Sequence, residues 1–241
     1  MKRIALVFLF LAFAPANQVF ADSKVVVELF TSQGCAKCPP ANKLLSEIAD
    51  NPDIIALNWH VDYWDYMGWK DTLASPENTA RQEAYNEAIG EKGVYTPQAI
   101  INGQRQIVGS HKLELLQSVR SSLISNELPL TLRFEGNKNN LRVSVAGPDL
   151  EEGAIVTLVW YDSVQNVNIS AGENAGKTIR YANVVRHASN IGEWTGERVA
   201  FPINLNDPNR NGADCIAILV QDGPGGPIIG AAKLLLGDIG A

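Results

Sequence analysis

F-T-S-Q-G-C-A-K-C-P-P, residues Phe30 to Pro40, is the stretch around which the rest of the chain is arranged. The β-branched run Val25-Val26-Val27 leads into it, as in a strand buried on both faces. A helical pattern from Ala41 to Ala49 leaves it, with Leu44, Leu45 and Ile48 on one face. Two cysteines this close at a strand-to-helix junction can close a small disulfide ring. A thiolate in the first helical turn would also face unpaired backbone N–H groups and the positive end of the helix dipole. Lys37 adds a positive charge between the two sulfurs. Cys35 is therefore expected to be the exposed and more acidic thiol, below the ordinary value of about 8.5, with Cys38 shielded. The pattern points to redox chemistry.

Composition bounds the rest. The chain has 241 residues, 46% hydrophobic and 19% charged, which suits one large or two modest globular units. It is acidic, with 26 Asp plus Glu against 20 Lys plus Arg and no basic run, so a nucleic-acid partner has no electrostatic support. Residues 1–21 read as a secretory signal peptide. Lys2-Arg3 precede an apolar stretch from Ile4 to Ala14, and Val19-Phe20-Ala21 offers a cleavage site before Asp22. Its removal takes away two bases and no acid, moving the formal charge from −6 to −8. No later segment approaches a run of about 18 apolar residues, so the mature chain is expected to lack a membrane span. A periplasmic or secreted location would let disulfides persist.

From Lys24 the expected elements alternate. Strands are read at Lys24 to Phe30 and Ile54 to Trp59, and a helix from Ser75-Pro76 to Ile89, capped by Ser75 and stopped by Gly90. A hairpin of Gln98 to Asn102 and Gln106 to Gly109 turns on Asn102-Gly103. The helix from Lys112 to Ile124 carries Leu113, Leu116, Val119, Leu123 and Ile124 on one side. From Leu130 the pattern changes to short strands: Leu130 to Phe134, Leu141 to Ala146, Ala154 to Trp160, Arg198 to Ile203, Cys215 to Val220 and Ile228 to Leu236. The fold class read from this is α/β over residues 22–128, followed by a β-rich, sandwich-like unit over 129–241, with Leu128-Pro129 at the boundary. The second unit shows no catalytic trio and is assigned to support, dimer contact or substrate docking.

This order, β-α-β-α-β-β-α with a CxxC at the first strand–helix junction, resembles the thioredoxin fold. Tyr95-Thr96-Pro97 stands before the third strand, where thioredoxin-like proteins carry a cis-proline beside the sulfurs. More closely, the chain is similar to a family of secreted bacterial thioredoxin-like proteins of unknown function. The shared segments are Phe30 to Pro40, the H-V-D-Y-W-D-x-x-G-W segment His60 to Trp69, the G-E-N-x-G element Gly172 to Gly176 and the N-V-V-R element Asn183 to Arg186. Ordinary thioredoxins place a buried Asp six residues before the first cysteine. Here that position is Leu29, and Glu28 lies one residue away on the opposite strand face.

The expected function is an exported thiol–disulfide oxidoreductase acting on protein or peptide thiols and disulfides, with no cofactor beyond the Cys35–Cys38 pair. Cys35 is the attacking and Cys38 the resolving sulfur. Thr96 and Pro97 would hold substrate, with Trp64 and Tyr66 as an aromatic wall in a region that collects three of the five tryptophans. His60, Asp62 and Glu28 are candidate proton carriers. Two alternatives stay open: a copper-handling protein ligating through Cys35, Cys38 and His60, and a peptide-binding module with a structural disulfide. His111 reads as a helix cap and Cys215 as a buried thiol. Asp207 to Gly212 imitates a calcium loop, but Ile218 stands where a bidentate Glu is required, so a polar turn is expected.

Overall fold

The computed structural model describes residues 19–20, 25–125, 128–150 and 152–240. The expected signal peptide lies outside the described residues except for β1, Val19–Phe20, which pairs with Phe134 and Arg133. The first unit holds β2 (Val25–Thr31), α1 (Cys38–Ala49), β3 (Ile54–His60), α2 (Pro76–Ile89), β4 (Gln98–Ile101), β5 (Arg105–Val108) and α3 (Lys112–Ser125). β2 and β3 run parallel, β4 joins β2 antiparallel, and Asn102-Gly103 turns the β4–β5 hairpin with both residues at positive φ. This is the thioredoxin-like arrangement expected of the first unit, and it is followed by a β-rich region.

Alternation along the central strands decides which face each side chain meets. Val25, Val27 and Leu29 of β2 pack with Ile54 and Ala56 of β3 against Leu44, Leu45 and Ile48 of α1 and Leu115 and Val119 of α3. Val26, Phe30, Ile55, Leu57 and Trp59 face the other way, towards Tyr85 of α2. Helix α3 buries Leu115 and Val119 but leaves Leu113 and Ile124 exposed, correcting the expected apolar side. At 3.6 residues per turn Leu113 and Ile124 lie on the side of the helix opposite Leu115, Val119 and Ser122, so they face solvent.

The later strands are β6 (Thr131–Glu135), β7 (Arg142–Ala146), β8 (Ala154–Asn168), β9 (Thr178–Trp194), β10 (Val199–Pro202), β11 (Cys215–Gln221) and β12 (Ile228–Leu235). They do not sit apart from the first unit. One eight-stranded sheet runs β12-β11-β8-β9-β3-β2-β4-β5, joined where β9 meets β3 at Val184 and Asn58. The sheet curls so that β12 returns to the base of β2 and β3. There Lys233 Nζ donates to the carbonyls of Asn51 and Ile54, and Ile228 N donates to that of Asn102. A second sheet, β1-β6-β7-β10, packs Leu132, Phe134, Val143 and Val145 on Val156, Leu158, Trp160, Ile216 and Ile218 to make the sandwich.

The 17-residue β9 and the second half of the 15-residue β8 escape the sequence reading. Beyond Tyr161 these strands leave the sandwich as a two-stranded ribbon whose turn, residues 169–177, lies over the start of α1. That ribbon brings the second unit to the cysteines.

Candidate functional site

The loop carrying Cys35 is built by its own backbone. Thr31 ends β2, Cys35 N donates to Ser32 O, and Gly34 N donates to Ser32 Oγ. Cys38 N then donates to Cys35 O, and α1 begins at Cys38 with Pro39 in its first turn. Cys38, not Cys35, therefore occupies the first helical turn, and the helix begins three residues before the expected Ala41. The two cysteines form a disulfide with Cα atoms 5.4 Å apart.

Neither sulfur residue is open to solvent: Cys35 and Cys38 are each 1% exposed. This corrects the expectation of an exposed Cys35, and two covering segments supply the reason. From one side comes the loop after β3. Gln33 N donates to Asp71 Oδ2 at 2.7 Å, Trp69 Nε1 donates to Gln33 Oε1 at 2.7 Å, and Gln33 Nε2 donates to Thr72 Oγ1. Trp64 lies on Gly34 so closely that a Cβ at residue 34 would come within 3.2 Å of the Trp64 Cβ. From the other side comes the β8–β9 turn. Asn174, 1% exposed, donates through Nδ2 to Gln33 O at 2.9 Å and Cys35 O at 3.0 Å, and Lys177 Nζ donates to its Oδ1. Gly172, at φ +74, fits tightly against Trp69: a Cβ would meet the Trp69 Cβ at 3.1 Å, and the positive φ disfavours any other residue.

Beneath the loop, on the α1 face of the sheet, lies a polar interior. Asn42 Nδ2 donates to Thr31 Oγ1 and to Cys38 O, and Asn58 Nδ2 donates to Asn42 Oδ1. His60 stands opposite Thr31 in the β2–β3 register and is fully buried. Its Nδ1 lies 2.8 Å from Asp71 Oδ2, the same oxygen that accepts from Gln33 N. Burial would raise the Asp71 carboxyl, but His60 and the N–H groups of Gln33 and Leu73 outweigh it and hold it below the usual carboxylate range. With Asp71 ionised, His60 Nδ1 donates to the carboxylate, which leaves Nε2 as the ring's second nitrogen to be satisfied. That nitrogen has no hydrogen-bond partner among the described residues, nor has the buried hydroxyl of Tyr181, whose ring meets His60 edge to face at 4.7 Å. Burial pushes the Tyr181 phenol well up, so it stays protonated.

The other expected site residues are dispersed. Glu28 faces α2, away from α1. Arg81 grips it at 2.7 and 3.1 Å, Tyr85 Oη donates to it, and the Arg81 guanidinium lies 4.9 Å from the centre of the Trp59 ring. Its carboxylate is thus committed on the wrong face for proton transfer at the sulfurs. Asp62 accepts from Thr79 Oγ1 in α2 at 2.6 Å and serves that helix. Trp59 is a packing residue, stacked on Phe30. Trp64 is half-buried, whereas Tyr66 is 78% exposed. The Thr96–Pro97 bond is cis, and since Gln98 pairs with Phe30, Pro97 runs beside the start of the Cys35 loop. His111 meets Glu114 on the surface at 3.3 Å. Cys215 is free and buried, its thiol pushed up to about 12 by burial and by Asp214. Asp207 accepts from Asn209 N within the expected polar turn. Among the described residues no group of three or more His, Cys, Asp or Glu side chains is close enough to hold a metal ion, and no helix is long and apolar enough to cross a membrane.

Sequence reasoning missed Asp71 and Tyr181, and gave no individual role to Gln33, Trp69 and Asn174, although all three lie within its quoted segments. Gln33 lies within the quoted motif, and its burial is the signal that it is a structural hub.

The family described as a protein of unknown function (DUF1223) matches residues 26–221. A crystal structure of an Agrobacterium tumefaciens protein from a structural genomics consortium is similar at 31% identity and a TM-score of 0.79, over 91% of this chain and 97% of that one. HBP35 of Porphyromonas gingivalis is similar in fold alone, at 14% identity and a TM-score of 0.57, over 92% of this chain and 77% of that one. No curated protein matches.

Proposed function

The chain belongs to the DUF1223 family, whose description carries no activity, and from the site itself we propose that it is an exported thiol–disulfide oxidoreductase. The observation that carries this reading is that one sheet face holds both a CxxC disulfide and a buried His60–Asp71 pair whose Nε2 has no hydrogen-bond partner among the described residues. Buried polar atoms are almost always hydrogen-bonded, and an exception next to a reactive group is a candidate for chemistry.

In the reducing direction, the Cys35 thiolate attacks a substrate disulfide. One sulfur–sulfur bond forms, the substrate bond breaks, and the first substrate sulfur leaves as a thiolate. Cys38 must then lose its proton to attack the mixed disulfide, and His60 is the base that accepts it, directly or through water, while Asp71 holds the ring in the tautomer with Nε2 free. The second attack releases the other substrate sulfur and restores the Cys35–Cys38 bond. Run backwards, the same steps insert a disulfide. Thr96 and Pro97 border the sulfurs, and Trp64 and Tyr66 flank the approach. The substrates are protein or peptide thiols and disulfides outside the cytoplasm, in keeping with the N-terminal sequence.

A peptide carrying one disulfide tests the reading. The wild-type protein should catalyse its exchange, Cys35→Ser should abolish it, and Cys38→Ser should stall at a thiol-cleavable adduct on Cys35. No exchange by the wild-type protein would remove the activity, and an adduct forming on Cys38 in Cys35→Ser would exchange the two roles.

A further inference from the structure

A disulfide that exchanges must be reached, and here both cysteines are closed off. The two covers are not equally tied. The loop after β3 is held to the Cys35 loop and to the interior by Asp71, Trp69 and Thr72. Residues 169–177, by contrast, are mostly exposed, and their internal bonds close the turn on itself: Ala175 N to Gly172 O, Gly176 N to Ile169 O, and Ile169 N to Lys177 O. The side chain of this turn that bonds to the Cys35 loop is Asn174, through one amide nitrogen shared by two carbonyls. The ribbon behind it is anchored, since Tyr181 packs on His60, Asn183 Nδ2 donates to Ala56 O and Val184 pairs with Asn58, so any opening is confined to the turn itself.

On the redox reading above, we infer that Asn174 is a latch that sets which reductants and substrates reach the Cys35–Cys38 disulfide, and that it favours polypeptides over small thiols. When the turn lifts, the carbonyls of Gln33 and Cys35 lose their donor, and a buried acceptor left unmade is costly. An extended polypeptide brings backbone N–H groups that replace the lost bonds as its sulfur arrives. A small dithiol brings none, so it carries the whole cost of opening. Lys177, donating to Asn174 Oδ1, keeps the amide turned with its nitrogen towards the carbonyls.

The test is the rate at which the purified disulfide is reduced by dithiothreitol and by an extended peptide with two cysteines, each rate expressed per thiolate. In both reactions one reductant thiolate attacks a protein sulfur, and the other protein sulfur leaves. The second reductant thiol then displaces the first-attacked sulfur, giving the oxidised reductant and two protein thiols. The wild-type protein should react at least about tenfold faster with the peptide. Asn174→Ala should raise the dithiothreitol rate by about tenfold and the peptide rate by less than about threefold. Lys177→Met, at an exposed position that keeps the fold whatever Asn174→Ala does, should raise the dithiothreitol rate several-fold with no change in melting temperature. Unchanged dithiothreitol rates in Lys177→Met and Asn174→Ala would overturn the latch, and an equal rise for both reductants would overturn the preference for polypeptide. These rates need no turnover, so the latch can fail while catalytic exchange stands, or stand while exchange fails.

Discussion

Two buried polar clusters lie on opposite faces of the same two strands, and they differ in one respect. On the α2 face, Glu28, Arg81 and Tyr85 close on one another, and Gln221 accepts a further bond from the guanidinium. On the α1 face, His60, Asp71 and Gln33 form a chain that ends on an unpartnered imidazole nitrogen beside an unpartnered phenol. The first cluster completes itself and welds α2 to the sheet. The second stops short, on the sheet face that carries the disulfide. A satisfied network accounts for stability; an open one at a reactive pair asks for a proton or a ligand.

The largest effect should come from breaking the closed cluster. Arg81→Leu leaves the buried Glu28 carboxylate unpaired and should destabilise the fold by about 3–5 kcal/mol in denaturant unfolding. Disulfide exchange by the remaining folded protein should be unchanged, because Arg81 and the sulfurs are on different faces. A fall in exchange without a fall in stability would erase the distinction between the faces.

The open cluster should respond differently. Asp71→Asn removes the charge that orients His60 and should cost about 1–3 kcal/mol at neutral pH. The sign of its pH dependence follows from the lowered carboxyl pKa. That stabilisation is fully present above the unfolded value of about 3.9 and disappears as pH falls through the lower folded value. The stability gap between wild type and Asp71→Asn should therefore narrow on going from pH 7 to about pH 3, as measured by denaturant unfolding. Exchange should slow in the variant, with its pH profile displaced. A gap independent of pH would mean that Asp71 acts by shape and not by charge.

How much of this could be read from the chain depended on the distance over which each signal acts. Helix α2 was legible to the residue because Ser75, Pro76 and Gly90 are local caps, and the structure starts and stops the helix on them. The Asn102-Gly103 hairpin is legible for the same reason. Strand β9 was not. Asn183 at φ 51 and Gly192 at φ 152 interrupt its alternation, and bulges shift its register against β8, so no single period survives along its length. The site divides the same way. Cys35, Cys38 and Pro97 follow from motif and position, whereas Asn174, though inside the G-E-N-x-G element, acts on a carbonyl 139 residues away, and Asp71 acts on a ring 11 residues away with no local pattern to announce it. Glu28 was misassigned because it is a carboxylate near the cysteines in sequence, while the pleat turns it to the far face.

The smallest effect sharpens the picture of the approach to the sulfurs. Tyr66, being 78% exposed, should be replaceable by Ala within about 0.5 kcal/mol of stability. Its loss should still slow exchange with a protein disulfide severalfold while leaving a small disulfide unaffected. Trp64→Ala, which uncovers Gly34, should lower the melting temperature and slow both substrates together.

The account rests most directly on the reduction potential of the Cys35–Cys38 pair, measured by equilibration of the purified protein against a graded thiol–disulfide buffer. A redox-active pair should fall between about −300 and −120 mV, the span from below thioredoxin to the strongest oxidants of this chemistry. A value below about −300 mV would place the bond among structural disulfides and contradict the assignment of the chain as an oxidoreductase.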